Sequence, residues 1–229
     1  MSLLQNFMMA GGGDVSKAEV TCSFVGSTGS TSEITSYTFS DHSIGTAATG
    51  RLVVVGIGNT GGVGGTDGAS SVTIAGETGT KIVEVTADDH THSAIWAAVV
   101  DSGTTGDIVI NYSRTTNGTI IGVWAVYNAT TTVSDTSSDT DNSGEEYTTT
   151  LDIPASGVGI ACAIDVKGSS ATTHTWVGLT EQYDSNFKAN QSGTGAHKVF
   201  SSTQTDLTIS CTPAATTFQG SMVTASWGP

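Results

Sequence analysis

The chain is predicted to be all-β: a single antiparallel β-sandwich of jelly-roll type, preceded by a short apolar segment at its N-terminus. Three observations predict this. Short apolar runs rich in Val, Ile and Trp recur along the whole chain, and clusters of Gly, Asn, Asp and Ser separate them. Within the runs side chains alternate. Val158, Ile160, Cys162, Ile164 and Val166 interleave with Gly, Ala and Asp, the period of two that buries one face of a strand. No helical pattern of useful length follows the N-terminal segment, and many short strands at this spacing point to a sandwich or jelly roll.

Taken in order, the first element differs from the rest. Leu3, Leu4, Phe7 and Met8, with Met9, put apolar side chains on one face of a helical turn or two, and Gly11-Gly12-Gly13 then breaks the helix. So short a helix is not stable alone in water, so residues 1–13 read as an anchor or docking segment. Residues 14–229 read as one β-sandwich domain. Its strands are predicted at 19–25, 36–40, 51–57, 70–75, 80–86, 93–100, 107–112, 119–127, 145–152, 158–166, 173–178, 196–201, 206–211 and 218–227. The stretch from Ser93 to Asn128 has three such runs split by Ser-Gly-Thr-Thr-Gly and Arg-Thr-Thr-Asn-Gly, which predicts a β-meander. Residues 56–71, 133–146 and 184–195 are expected to be outward-facing loops. No repeat of fixed period is legible.

Composition narrows the function classes. Of 229 residues only 12% are charged, and Ser and Thr supply about 29%, a composition suited to strands with a polar outer face. Net charge is −14, and the seven basic residues are scattered singly. Phosphate binding needs clustered Lys and Arg, so neither nucleic acid nor an anionic membrane surface is an expected partner. No run approaches the apolar length of a membrane-spanning helix, and the N-terminus lacks the basic start of a signal peptide. Cys22, Cys162 and Cys211 are an odd set at wide spacing, each inside an apolar run, and read as small buried hydrophobes rather than disulfides or metal ligands.

Several motifs carry chemistry on paper. Gly56-Ile-Gly58-Asn-Thr-Gly61 matches G-x-G-x-x-G, but Gly-Val-Gly-Gly-Thr-Asp-Gly follows it, which is not the helix a dinucleotide site requires. His90 and His92 lie two apart in Asp-Asp-His-Thr-His, as weak candidate ligands for Zn²⁺ or Fe²⁺ in a cupin-like jelly roll. The acidic stretch with Asp135, Asp139, Asp141, Glu145 and Glu146 is a candidate calcium loop, although it lacks the EF-hand spacing. No motif ties a nucleophile to a base, so no catalytic residue is assigned, and no cofactor is expected. Trp96 and Trp124 lie in strongly apolar strands and are read as core. Trp176 and Tyr183, in more polar surroundings, are the candidate ligand-facing aromatics.

Four stretches together resemble a known group. They are Tyr37-Thr-Phe-Ser-Asp-His-Ser-Ile-Gly-Thr-Ala-Ala-Thr-Gly-Arg51-Leu-Val-Val-Val, Ser102-Gly-Thr-Thr-Gly-Asp-Ile-Val-Ile, Ile121-Gly-Val-Trp-Ala-Val and Ala225-Ser-Trp-Gly-Pro229. The chain from about Glu19 onward resembles the small β-rich virion-associated proteins of tailed bacteriophages and prophages. The resemblance implies a non-enzymatic structural protein on the virion surface, made in the host cytoplasm, and most simply a tail-fibre or host-recognition component. Other virion proteins, further copies of the chain as a homotrimer, and a host surface glycan are the implied partners. A head decoration protein is the nearest alternative. A metal-dependent jelly-roll enzyme using His90 and His92 is the rival from another class.

Overall fold

The computed structural model describes residues 18–61, 68–87, 90–141, 145–167, 172–215 and 219–229. The expected anchor residues Leu3, Leu4, Phe7, Met8 and Met9 lie outside them. The described residues form β-strands and no helix, and all strand pairings are antiparallel.

The strands form four sheets. The first inner sheet runs in the order β1 (Thr21–Ser30), β9 (Thr116–Tyr127), β3 (Leu52–Gly61), β7 (Thr91–Val99), β6 (Thr80–Ala87). The first outer sheet is β2 (Ser36–Ser43), β8 (Thr105–Tyr112), β4 (Ala69–Ile74), β5 (Glu77–Thr78). The second inner sheet is β10 (Asp135–Asp141), β17 (Gln219–Trp227), β12 (Gly157–Val166), β15 (Gln191–Phe200), β14 (Thr180–Lys188). The second outer sheet is β11 (Tyr147–Ile153), β16 (Gln204–Pro213), β13 (His174–Val177).

Alternation along β3 and β12 stacks these sheets. Val53, Val55 and Ile57 point one way, into a core with Val72, Ile74, Ile108 and Ile110 of the first outer sheet. Leu52 and Val54 point the other way, with Trp124, and meet Val158, Ile160, Cys162, Ile164 and Trp227 of the second inner sheet. Behind those, Ala161 packs on Leu151 and Ile209, and Ala163 packs on Tyr147 and Cys211, of the second outer sheet. The layers therefore run outer, inner, inner, outer. The all-β antiparallel architecture is as predicted, but four sheets stand where one sandwich of two was expected.

The reason is a duplication the sequence hides. Reading β10, β11, β12 and β13 for β1, β2, β3 and β4, and β14 to β17 for β6 to β9, turns one inner-sheet order into the other. The outer sheets match in the same way apart from β5. The two halves stack through equivalent sheets. Core identities differ between them, so no periodicity survives, although the second strand of each half carries a buried tyrosine, Tyr37 and Tyr147.

The same topology corrects the expected meander. β7 and β9 both pair with β3, while β8 lies in the facing sheet between β2 and β4. The turns at 101–104 and 113–115 carry the chain between sheets rather than around hairpins. The expected loops are also largely strand. Gly56 to Gly61 continue β3, residues 135–141 form β10, and residues 184–195 are most of the β14–β15 hairpin.

Glycines inside strands mark where the inner sheets approach each other. A Cβ at Gly56 would lie 3.0 Å from Cys162 Sγ and 3.1 Å from the Trp124 ring, and one at Gly58 2.9 Å from Ile164 Cβ. Gly122 faces the Tyr183 ring even more closely. The G-x-G-x-x-G match thus reflects close sheet packing, not a phosphate loop. Gly122→Val is expected to destabilise by about 3 kcal/mol through overpacking, read as a lower urea midpoint with an unchanged far-UV CD shape.

Candidate functional site

Most polar side chains with chemical potential gather at the ends of the two central strands. β3 begins just after Arg51 and carries Asn59 near its far end; β12 carries Asp165 near its own. In each half a histidine is clamped between that residue and a carboxylate on the edge strand next but one.

In the first half the histidine is His92, from the intervening strand β7. Its Nδ1 lies 3.1 Å from Asn59 Oδ1 and its Nε2 3.2 Å from Glu84 Oε2 on β6. Glu84 also contacts Lys81. The His92 hydrogen bond, working against partial burial and helped by Lys81, lowers the Glu84 pKa to about 2. A Cβ at Gly68 would lie 2.6 Å from His92 Nε2, so the residue before β4 must be small for this clamp to close.

In the second half the histidine is His174, and it comes from the facing sheet, on β13. Its Nε2 is 2.5 Å from Asp165 Oδ2 and its Nδ1 2.9 Å from Asp184 Oδ1 on β14, while its backbone N–H donates to Asp184 Oδ2 at 2.7 Å. The imidazole is fully buried. Burial alone depresses its pKa, but hydrogen bonds to two carboxylates and their charges outweigh this and hold it at about 9. Asp165 is raised, because desolvation, together with the nearby Asp184 charge, outweighs its bond to His174; its Oδ1 has no hydrogen-bond partner among the described residues. Asp165, His174 and Asp184 form one hydrogen-bonded unit that ties the inner sheet to the outer. Alternation placed Asp165 inside and made its burial legible, but nothing local connects it to His174.

The other end of β3 is closed by Arg51. Its side chain is buried and donates from Nε to Val100 O at 2.9 Å, from Nη1 to Gly45 O and Gly103 O at 2.9 and 3.0 Å, and from Nη2 to Ser102 O at 2.9 Å. One guanidinium thus fastens the β2–β3 and β7–β8 connections together. Sequence reasoning missed this role, since an arginine before an apolar strand gives no local sign of burial.

Tyr183, expected to face a ligand, is a correction. It is buried against Phe24 and Trp124, with ring centroids 5.6 and 6.2 Å away, because alternation along β14 turns it into the interface between the inner sheets. Trp176 is half-buried, and its indole N–H donates to Thr194 Oγ1 at 2.9 Å. His90 is exposed in a turn, whereas His92 is engaged on both ring nitrogens. Asp88 and Asp89 lie outside the described residues. Among the described residues no group of three or more His, Cys, Asp or Glu is arranged to hold a metal ion.

The acidic stretch has a structural use. Asp135 Oδ2 accepts from Asp152 N at 2.8 Å, and Asp139 Oδ2 from Thr148 N at 2.8 Å. These carboxylates of β10 serve the free edge of β11, which otherwise presents unpaired N–H groups. Asp141 Oδ2 accepts from Glu145 N at 2.7 Å. Cys162 and Cys211 are buried and unlinked, and burial pushes the Cys162 thiol up to about 12, leaving it inert as a nucleophile.

Comparison with protein-family models, with curated proteins and with solved structures finds no match.

Proposed function

We propose that the protein is a non-enzymatic structural component exposed on the surface of a tailed-phage virion, serving host recognition. In this reading each half is a jelly roll: the orders β1-β9-β3-β7 and β2-β8-β4-β5 are those of two interlocked Greek keys. The observation that carries the reading is the duplicated, tightly stacked scaffold, whose buried ionisable groups are spent on holding strands and loops. His92, His174, Asp165, Asp184 and Arg51 all bond inward. Such a scaffold presents surfaces and turns rigidly, as an attachment protein requires. The step from fold to virion is an analogy supported by the sequence resemblance. Residues 1–13 serve as the docking segment, and a homotrimer with a host glycan as ligand follows from the same resemblance.

Immunogold electron microscopy on particles from the source of the sequence tests this. Label at the tail tip is the expected result. Label spread over the head makes the protein a decoration component instead, and unlabelled particles overturn the virion reading.

A further inference from the structure

At the seam between the halves, three side chains from three chain segments meet. Lys188, at the end of β14, donates from Nζ to Asn117 Oδ1, and Nζ also lies 3.3 Å from the Asn117 carbonyl oxygen. The carboxylate of Glu33, between β1 and β2, lies 3.6 Å from the same nitrogen. Lys188 belongs to the second half, Asn117 and Glu33 to the first.

The backbone is shaped for this approach. The register of β14 shifts between Asn186 and Lys188, which turns the lysine toward β9. Gly118, next to Asn117, has φ +116, and a Cβ there would lie 3.0 Å from Ser30 O and 3.1 Å from the Phe187 ring. Only glycine lets the start of β9 pass this close to β14. An ammonium donor also selects the oxygen of the carboxamide rather than its NH₂, so the lysine nitrogen is held beside the C=O group it would attack.

We propose that Lys188 and Asn117 form an intramolecular isopeptide bond that covalently joins the two halves, with Glu33 as the proton carrier. Glu33 takes a proton from the Lys188 ammonium, and the freed amine attacks Asn117 Cγ. The tetrahedral intermediate collapses as Glu33 returns the proton to Nδ2. The Cγ–Nδ2 bond breaks and ammonia leaves; the second proton still on Nζ passes through the Glu33 carboxylate to the departing ammonia, so that ammonium is released and a neutral amide between Nζ and Cγ remains. No oxidant, cofactor or second substrate is consumed. Holding the three groups together makes the step effectively unimolecular.

Intact-mass spectrometry of the purified full-length protein, followed by peptide mapping, tests this. The expected result is a chain lighter by one ammonia and a branched peptide joining Lys188 to Asn117. Lys188→Arg keeps the positive charge but removes the nucleophilic amine, so that variant is expected at full mass. Glu33→Gln is expected to leave most of the protein uncrosslinked. Linear peptides carrying Asn117 and Lys188 separately would overturn the proposal. So would an ammonia loss confined to a succinimide at Asn117-Gly118 and retained in Lys188→Arg.

Discussion

Replacing Arg51 with methionine is expected to lower stability by about 3–5 kcal/mol, the range for breaking a buried charged network. Methionine fills much of the volume but leaves the carbonyls of Val100, Gly45, Gly103 and Ser102 without their donor. In a protein of this size the loss corresponds to a fall of roughly 10–15 °C in Tm. Arg51→Lys is expected to recover little, because an ammonium does not span the fork of donors that a guanidinium presents. Differential scanning calorimetry of the three proteins checks this. A Tm within a degree or two of the parent for Arg51→Met would mean that the two connections hold themselves without the clamp.

The second large effect concerns His174. Its folded pKa, about 9, lies above its value in an unfolded chain. A raised pKa means that folding favours the protonated ring. The resulting stabilisation is complete below pH ~6.5 and is lost as pH rises through about 9. Integrated over that window it amounts to about 3 kcal/mol. Urea unfolding at pH 6.5 and 9.5 is expected to show this decline. His174→Gln is expected to be less stable at pH 6.5, since it leaves Asp165 and Asp184 in the interior without a cation between them, and to lose most of the pH slope. A parent slope retained in His174→Gln would assign the pH dependence elsewhere.

The strands were legible wherever one face is apolar. Each predicted strand corresponds to an observed one, with ends shifted by a few residues. The strands without a prediction are β5, β10 and β14, and all three lie at sheet edges. β10 reads Asp-Thr-Ser-Ser-Asp-Thr-Asp and buries little, so hydrophobic alternation has nothing to report there. Its carboxylates instead cap the neighbouring edge, a role that looks like calcium chemistry in one dimension. Strand order was not legible, because β7, β8 and β9 carry the same pattern whether the turns between them are hairpins or crossings between sheets.

The candidate site was legible residue by residue but not as a geometry. His92 was singled out for its neighbour His90, whereas its partners are Asn59 and Glu84 from other strands. His174 lacked any local motif, and its carboxylates lie on β12 and β14. Tyr183 was misread because the polar residues of β14 face outward around it. Gly56 and Gly58 read as loop-formers because closeness between sheets leaves no mark on a sequence beyond a missing side chain.

Two equivalent halves are held together by packing between their inner sheets, through residues such as Val54, Trp124, Ile160 and Trp227. The most direct measurement inserts a specific protease site between the exposed residues Thr131 and Thr132 in the Lys188→Arg background, so that no covalent side-chain bond joins the halves. The cleaved protein is then compared with the uncut protein by size-exclusion chromatography and CD. Co-elution of both fragments at the uncut volume, with an unchanged spectrum, is the predicted result. Separation into two folded fragments under native conditions would contradict the stacked arrangement.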